Sequence, residues 1–302
     1  MDRPTPHAGG RCPVGVLGCG LLGSAVARTL VAAGTPVSVW NRTPRAAALL
    51  AAAGATPCGT VGELVRSSEL ILVTLADYAA AREVLADAGP LAPRTVAVIT
   101  TGVPHDAERL ARAVAGQGGR SLDVALLGYP ADLGEPGTML AVAGPLELWR
   151  RFEPLFRSLG GDSRHVSEDI AGASVLDVAA TGAFYTVAYG AMVEAAGYAR
   201  ARGLDPHALI PAAEAWISIL RRNLQEVADA VASGDHHSDQ ATVATYLEAA
   251  RAWHRELAET GLAARLLAAQ ERNLEAASAQ GLGPLGFSAQ SLSMGGAAPP
   301  QR

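Results

Sequence analysis

A single acidic residue, Asp177, stands in a long stretch of otherwise uncharged and mostly apolar residues, 172–193. A carboxyl group in such surroundings could donate a proton or, when ionised, attract a substrate cation. Thr181 and Tyr185 follow at intervals of four residues, which predicts that the three side chains share one broad face of a helix. We therefore predict that this face meets the substrate, with Asp177 and Tyr185 as catalytic residues, joined by Thr101 of an earlier loop, and with Thr181 as a substrate contact. The alternative is a buried Asp that a backbone group or a hydroxyl satisfies at a helix crossing.

A second set of residues has the spacing of a phosphate-binding turn. Gly18, Gly20 and Gly23 follow the apolar run 14–17 and lead into a helical pattern, which is the setting in which G-x-G-x-x-G binds a dinucleotide. In such a turn the first glycine permits the bend, the second lets the backbone approach a pyrophosphate, and the third lets the helix pack closely. Leu21 and Leu22 begin this helix, whose N–H groups would face the phosphates.

The next apolar run, 36–40, ends in Asn41, Arg42 and Thr43. A site for NAD usually carries Asp or Glu at this point to bind the ribose 2′-hydroxyl. A guanidinium beside two small polar side chains suits a 2′-phosphate instead, because each charge-assisted hydrogen bond contributes roughly 1.5–3 kcal/mol. We predict NADPH as the cofactor; the alternative is an ordinary surface Arg after a strand.

Loops that follow later strands complete the predicted site. Ligands of parallel α/β sheets bind beyond the carboxyl ends of the strands. We expect Leu75, Ala76 and Asp77 to approach the cofactor, and Thr101 to approach both cofactor and substrate. Tyr129, after a further strand, is expected near the reacting ring.

Strand-like and helix-like runs alternate up to about residue 168 and then only helical patterns follow. This alternation predicts an α/β fold with an N-terminal Rossmann doubly wound sheet over 12–168, whose later strands can differ in orientation. The remainder, 169–294, is predicted to be all helical, beginning with a long interdomain helix over 169–201. The strands are predicted at 14–17, 36–40, 70–75, 95–100, 121–126 and 139–142, and the later helices at 205–232, 236–260, 263–280 and 288–294.

The apolar run 172–193 is long enough to span a bilayer. It consists mainly of Ala, Gly, Thr and Tyr, however, and an ionised Asp177 would be costly in lipid. A helix that is apolar on all sides is more simply one that is buried on all sides. We predict that a second copy of the chain covers it in a homodimer, with a membrane span as the alternative.

Composition limits the classes of function. The chain of 302 residues has a net charge of −5 with scattered basic residues, which indicates neither nucleic acid nor a membrane surface as a partner. All 24 basic residues are arginine, so no mechanism that needs a catalytic lysine is open.

We expect a turn with a helix cap, and no metal, at the histidine-containing run 234–239. The chain has three cysteines without metal spacing. We expect the polar segment 1–11 to be mobile and not a secretion signal. Together these features predict a cytoplasmic protein.

The motifs, in this order and spacing, resemble the imine reductase and reductive aminase family of the 3-hydroxyisobutyrate dehydrogenase-like superfamily. The resemblance implies NADPH-dependent hydride transfer to the C=N carbon of a small-molecule imine or iminium, expected to be cyclic. It also implies a homodimer with each active site between the nucleotide domain of one chain and the helices of the other. The segments that carry it are 18–27, 39–43, 77–78, 101–104, 129–130 and 176–177.

By position, Asp177 matches the acidic residue that family members place opposite the nicotinamide, and Tyr185 a tyrosine beside it. Thr101 falls where many members have Asn or Ser. Trp216, on the next helix, is predicted to line the substrate pocket with Tyr129 and Thr181; the alternative for Trp216 is a core position. Two other functions stay open: a 3-hydroxyacid dehydrogenase with a base other than the lysine of its relatives, and a non-catalytic NADPH-binding dimer.

Overall fold

The computed structural model describes residues 12–295, so the expectations for residues 1–11 lie outside the described residues. By its internal contacts the described chain divides into two compact units, which separate between Phe184 and Tyr185. The predicted domain limits, 12–168 and 169–294, remain a prediction.

The first unit is built on one sheet with the strand order β3-β2-β1-β4-β5-β6-β7-β8. Its strands are β1 Val14–Leu17, β2 Val37–Trp40, β3 Thr56–Pro57, β4 Leu70–Val73, β5 Thr95–Ile99, β6 Arg120–Leu127, β7 Met139–Ala143 and β8 Arg164–Ser167. Its helices are α1 Leu21–Ala32, α2 Pro44–Ala51, α3 Val61–Ser67, α4 Tyr78–Ala86, α5 Pro104–Gly116, α6 Leu146–Leu159 and α7 Gly172–Asp177. β6 and β7 pair antiparallel and the other neighbouring strands pair parallel. The predicted fold class is confirmed.

The central strands are buried along their whole length because helices cover both faces of the sheet. Successive residues of β4 therefore enter different cores. Leu70 and Leu72 pack in one cluster, with α1 and α6, while Ile71 and Val73 pack in the other, with α3, α4 and α5. A continuous apolar run, rather than an alternating one, is what this arrangement requires of a strand.

The second unit consists of helices around a small core. They are α8 Val187–Ala201, α9 Leu209–Ser233, α10 Val243–Glu259 and α11 Arg265–Ala279, with 3-10 turns at Pro206–Ala208 and Phe287–Ser293. Val243 and Leu247 of α10 pack against Leu274 of α11. Glu256 accepts hydrogen bonds from the Tyr198 hydroxyl, at 2.9 Å, and from Arg202. These contacts join α8, α10 and α11.

Three parts of the predicted secondary structure were wrong. β3 and β8 were not predicted. Helix α10 begins at Val243 and not at residue 236, because Thr242 is its N-cap and accepts the N–H of Thr245. The histidine-containing run instead forms turns in which Asp235 accepts the N–H of His237 at 3.0 Å.

The long helix begins at Gly172 and is helical without a break to Ala201, but its middle segment, Val178–Thr186, is a π-helix. A π-helix bonds residue i to i+5 instead of i+4. The α-helical period that predicted one shared face for Asp177, Thr181 and Tyr185 therefore does not hold in this segment.

Candidate active site

The loops predicted to hold the cofactor form one rim at the carboxyl edge of the sheet. The Gly18 N–H donates to the Trp40 carbonyl at 2.9 Å, which joins the loops after β1 and β2. The Thr74 hydroxyl donates to the Gly18 carbonyl at 2.9 Å, which joins the loop after β4. The Thr100 hydroxyl donates to the Leu75 carbonyl, which adds the loop after β5.

The glycine turn has the shape that a pyrophosphate requires. Gly18 has φ +109°, in the region that favours glycine, and a Cβ on it would lie 2.8 Å from the Thr74 carbonyl oxygen. A Cβ on Gly23 would lie 1.9 Å from the Gly18 carbonyl oxygen. By contrast, a Cβ on Gly20 would meet no atom within 4 Å. The turn is therefore closed on the protein side and open at Gly20, where a dinucleotide would pass.

The N-terminus of α1 faces this opening with its N–H groups. Its N-cap is Gly20, no side chain caps it, and its first turn contains no acidic residue. Leu21 is 88% exposed at the start of the helix, and Leu22 packs at the edge of the core. An uncapped helix N-terminus is a favourable place for an anion, so these residues fit the phosphates of the predicted cofactor.

At the end of β2, the side chain of Asn41 bonds to two backbone groups, while the next two residues, Arg42 and Thr43, are exposed. The Asn41 amide oxygen accepts the Cys19 N–H at 3.0 Å, and its NH2 group donates to the Thr43 carbonyl at 3.1 Å. Arg42 and Thr43 are exposed, and the following helix begins at Pro44 with no side-chain hydrogen bond at its Thr43 cap. This pair of exposed side chains fits a 2′-phosphate, and Asn41 ties it to the glycine turn.

The remaining loop residues differ in what their side chains already do. Ala76 and Asp77 are exposed, and the Asp77 carboxylate caps α4 by accepting the Ala80 N–H at 2.8 Å. Thr101 is exposed on the rim. Tyr129, which follows the parallel strand β6, is 58% exposed.

Comparison with known proteins assigns both parts of the chain. Residues 13–169 match the family model of the NAD binding domain of 6-phosphogluconate dehydrogenase, and residues 169–292 match that of the NADPH-dependent reductive aminase-like C-terminal domain. The NADPH-dependent reductive aminase of Aspergillus oryzae is 30% identical over 227 residues, which cover 74% of this chain and 77% of that enzyme. The chain belongs to the imine reductase and reductive aminase family. The resemblance found in the sequence is confirmed.

Solved structures agree with this family. An imine reductase from Pseudomonas sp. has a TM-score of 0.89 and 26% identity, covering 94% of this chain and 100% of that one. A reductive aminase from Aspergillus terreus, in complex with NADPH and ethyl levulinate, has a TM-score of 0.86, 24% identity, and coverage of 93% and 98%. The likeness of the second structure concerns the fold.

In this member of the imine reductase family, packing on the sheet positions the first segment of the long helix, which ends at Asp177. Ala173, in the first turn of α7, is fully buried against β6 and β7, and Leu176 packs on the same cluster. Asp177 is the last residue of α7 and is half-buried. The inner face of α7 thus fixes the backbone from which this carboxyl group projects.

The other predicted substrate residues lie beyond α7. Thr181 is half-buried in the π-helical segment of the first unit. Tyr185 and Trp216 belong to the second unit, where they are 44% and 69% exposed. Tyr185 stacks on Tyr189 with their ring centroids 6.0 Å apart. Trp216 is not a core residue of the single chain, so that alternative was wrong, and its place in a pocket stays a prediction.

Sequence reasoning missed a buried polar cluster beside the rim, made by Tyr78, Asp123 and Ser174. The Tyr78 hydroxyl donates to one carboxylate oxygen of Asp123 at 2.5 Å, and the Ser174 hydroxyl donates to the other at 2.6 Å. Burial raises the pKa of Asp123, and burial together with the adjacent Asp123 raises that of Tyr78. The signal that could have found it was the single acidic residue inside the apolar strand 121–126.

Proposed function

We propose that this chain is an NADPH-dependent imine reductase, which reduces the C=N bond of a cyclic imine or iminium to an amine. The observation that carries the proposal is that the long helix presents Asp177, while the chain contains no lysine. Oxidation of an alcohol needs a base to remove the hydroxyl proton. A protonated imine arrives already activated and needs a nearby anion or hydrogen-bond partner to position it.

The rim of the first unit would hold the cofactor. Gly18, Gly20 and Gly23 admit the pyrophosphate, and the N–H groups of Leu21 and Leu22 face it at the helix N-terminus. When bound there, NADPH supplies the hydride for the reduction.

The polar groups of the rim set the orientation of the adenosine and nicotinamide ends. Arg42 and Thr43 bind the 2′-phosphate, with Asn41 holding their backbone. Leu75 and Ala76 contact the cofactor, with Asp77 at the cap of the next helix. Charge selects the phosphorylated cofactor, because Arg42 and the uncapped α2 both favour an anion.

Substrate contacts form the third part of the proposal. Asp177 pairs with the iminium nitrogen, Tyr185 donates a hydrogen bond beside it, and Thr101 fixes the orientation of the substrate from the rim. Tyr129 and Thr181 line the pocket, and in the proposed homodimer Trp216 reaches it from the helices of the other chain.

A homodimer is part of the proposed function. Helix α9 has 25 residues, of which Ala230 is the one buried, and Trp216 and Ile217 are 69% and 63% exposed. By length and composition the helix Gly172–Ala201 could cross a membrane. A partner chain explains the exposed apolar surface of both helices better than a membrane does. Helix α9 carries charged residues among its apolar ones. In the helix Gly172–Ala201, Glu194 is itself charged and accepts the Leu266 N–H at 2.9 Å.

The proposed protein is a cytoplasmic dimer, and two experiments test the account. The first follows NADPH oxidation over a series of cyclic imines of graded size; oxidation of NADPH by at least one imine is expected. The second is sedimentation, which should give twice the mass of the chain. Reduction of NADP+ by 3-hydroxyacids without turnover of any imine would refute the proposed reaction, and a monomer at all concentrations would refute the proposed assembly.

A further inference from the structure

The buried cluster joins three elements that are distant in sequence. Tyr78 is the first residue of α4, Asp123 lies in the middle of β6, and Ser174 lies in the first turn of α7. One carboxylate oxygen of Asp123 accepts the Tyr78 hydroxyl, and the other accepts both the hydroxyl and the N–H of Ser174, the latter at 3.1 Å. One side chain of the sheet therefore holds the starts of two helices.

Each of these helix starts adjoins a part of the proposed site. Tyr78 follows Asp77 directly, and its ring lies under the loop after β5, since a Cβ on Gly102 would be 2.3 Å from its ring atom Cε2. Gly102 follows Thr101. Ser174 precedes Asp177 by three residues, almost one helical turn. The cluster thus connects the backbone at Thr101 with the backbone at Asp177.

A carboxyl group is unusual at a buried position whose only role is packing. Asp123 stands between Leu122 and Val124 in the buried middle of β6 and is itself 2% exposed. A buried carboxylate is costly, and the groups of Tyr78 and Ser174 that donate to it are neutral, so hydrogen bonds offset that cost without a charged partner. Apolar residues of similar volume are often at least as stabilising at such positions. The carboxylate differs from an apolar side chain in that it accepts hydrogen bonds from two helices and so fixes their orientation relative to the strand.

We propose that Tyr78, Asp123 and Ser174 are positioning residues of the reaction: they hold the helix start that carries Asp177 in register with the loops after β4 and β5. This inference rests on the proposed imine reduction. A small displacement of a reacting group is costly in rate, on the order of 100-fold for about 1 Å. Loss of one hydroxyl should therefore slow the chemical step far more than it weakens cofactor binding, because the glycine turn and the end of β2, which are proposed to hold the phosphates, lie outside the cluster.

The test uses two mild variants and a matched control. Tyr78→Phe and Ser174→Ala each remove one hydroxyl from the cluster and retain the volume of the side chain or nearly so. Ser163→Ala is the control, because Ser163 is fully buried in the same unit and its hydroxyl donates to the carbonyls of Phe156 and Gly160, which belong to neither helix start held by the cluster. The measurements are the unfolding midpoint, the KM for NADPH, and the single-turnover rate of NADPH oxidation by an imine.

We expect both cluster variants to lower the single-turnover rate roughly tenfold or more, with a much smaller change in the KM for NADPH. The control should lose comparable stability and keep its rate. The double variant should lose less than the product of the two single losses, because both hydroxyls act through the same carboxylate. Wild-type rates in Tyr78→Phe and Ser174→Ala, with stability lost as in the control, would show that the cluster is only structural and would overturn the proposal.

Hydrogen exchange of the segment 172–178, measured by mass spectrometry, separates this proposal from the proposed function. Faster exchange there in both cluster variants, but not in Ser163→Ala, is expected if the cluster holds the helix start. Unchanged exchange would overturn the positioning role even in an active enzyme. A wild-type protein that turns over no imine would refute the proposed reaction, and the exchange result would still decide whether Asp123 holds α7.

Discussion

Gly23→Ala, compared with Gly20→Ala, separates the packing of the glycine turn from its binding of the cofactor. A Cβ on Gly23 lies 1.9 Å from the Gly18 carbonyl oxygen and 2.4 Å from the Thr74 hydroxyl, so backbone must move by about 1.5 Å to restore ordinary contact at 3.4 Å. Forcing a methyl group into such a site costs about 1–3 kcal/mol, and the upper value applies because backbone is the obstacle. The helix propensity of Ala returns up to about 1 kcal/mol. We therefore expect a net loss of about 2 kcal/mol in the free energy of unfolding.

Gly20→Ala is the matched control, since a Cβ there meets no atom within 4 Å and the residue has φ −72°, which Ala adopts readily. Ala is a poorer N-cap than Gly but restricts the unfolded chain, and the two effects of up to about 1 kcal/mol offset each other. Its methyl group nevertheless occupies the opening through which a pyrophosphate would approach.

The assay combines urea unfolding of the cofactor-free protein with fluorescence titration of NADPH. Both variants should bind NADPH weakly, but Gly23→Ala alone should unfold at lower urea. If Gly23→Ala were as stable as the wild type, the close approach of α1 to the turn would be refuted. Normal NADPH binding by Gly20→Ala would show that the pyrophosphate does not lie at this turn.

Three further predictions follow from individual groups. Arg42→Ala should raise the Kd for NADPH roughly 10- to 100-fold, as the loss of one charge-assisted bond implies, and leave that for NADH unchanged; equal losses would argue against recognition of the 2′-phosphate. The Tyr198 hydroxyl and Arg202 hold the pKa of Glu256 below its usual range, so its contribution to stability is present above pH 4.5 and is lost as the pH falls through the lowered pKa. The deficit of Glu256→Gln in urea unfolding should therefore shrink in acid, and a deficit independent of pH would contradict this. Burial raises the pKa of the Cys19 thiol to about 11, so iodoacetamide should label it at neutral pH far more slowly in the native than in the urea-unfolded chain, and equal rates would refute the burial of the thiol.

Local sequence patterns predicted most of the first unit because its strands are buried on both faces. β4 is a run of four apolar residues, which only a covered strand explains. β3 has two residues and β8 is Arg-His-Val-Ser with no fully buried residue, so neither offers an apolar run to recognise. The π-helical segment escaped for a related reason: a stretch that is apolar on every side has no face whose period could be measured.

In the candidate site, as in the fold, local motifs were visible in the sequence and long-range contacts were not. The conformation of the glycine turn and of the end of β2 was predictable because each is a short local motif that depends on adjacent residues, and the binding roles assigned to them stay predictions. The cluster of Tyr78, Asp123 and Ser174 was not, because its members are 45 and 51 residues apart in the chain and meet only after the sheet has formed. Long-range polar contacts of this kind leave no periodic signal.

Asp177 is proposed to act on the substrate, and the decisive measurement is the kcat of Asp177→Asn with a cyclic imine at saturating NADPH. Glu168→Gln is the matched control, because it removes an exposed carboxylate shortly before the same helix. We expect a fall in kcat of roughly 10- to 100-fold for Asp177→Asn, from loss of one charged hydrogen bond, with an unchanged Kd for NADPH. Glu168→Gln should keep wild-type turnover, and wild-type turnover in Asp177→Asn as well would contradict the account.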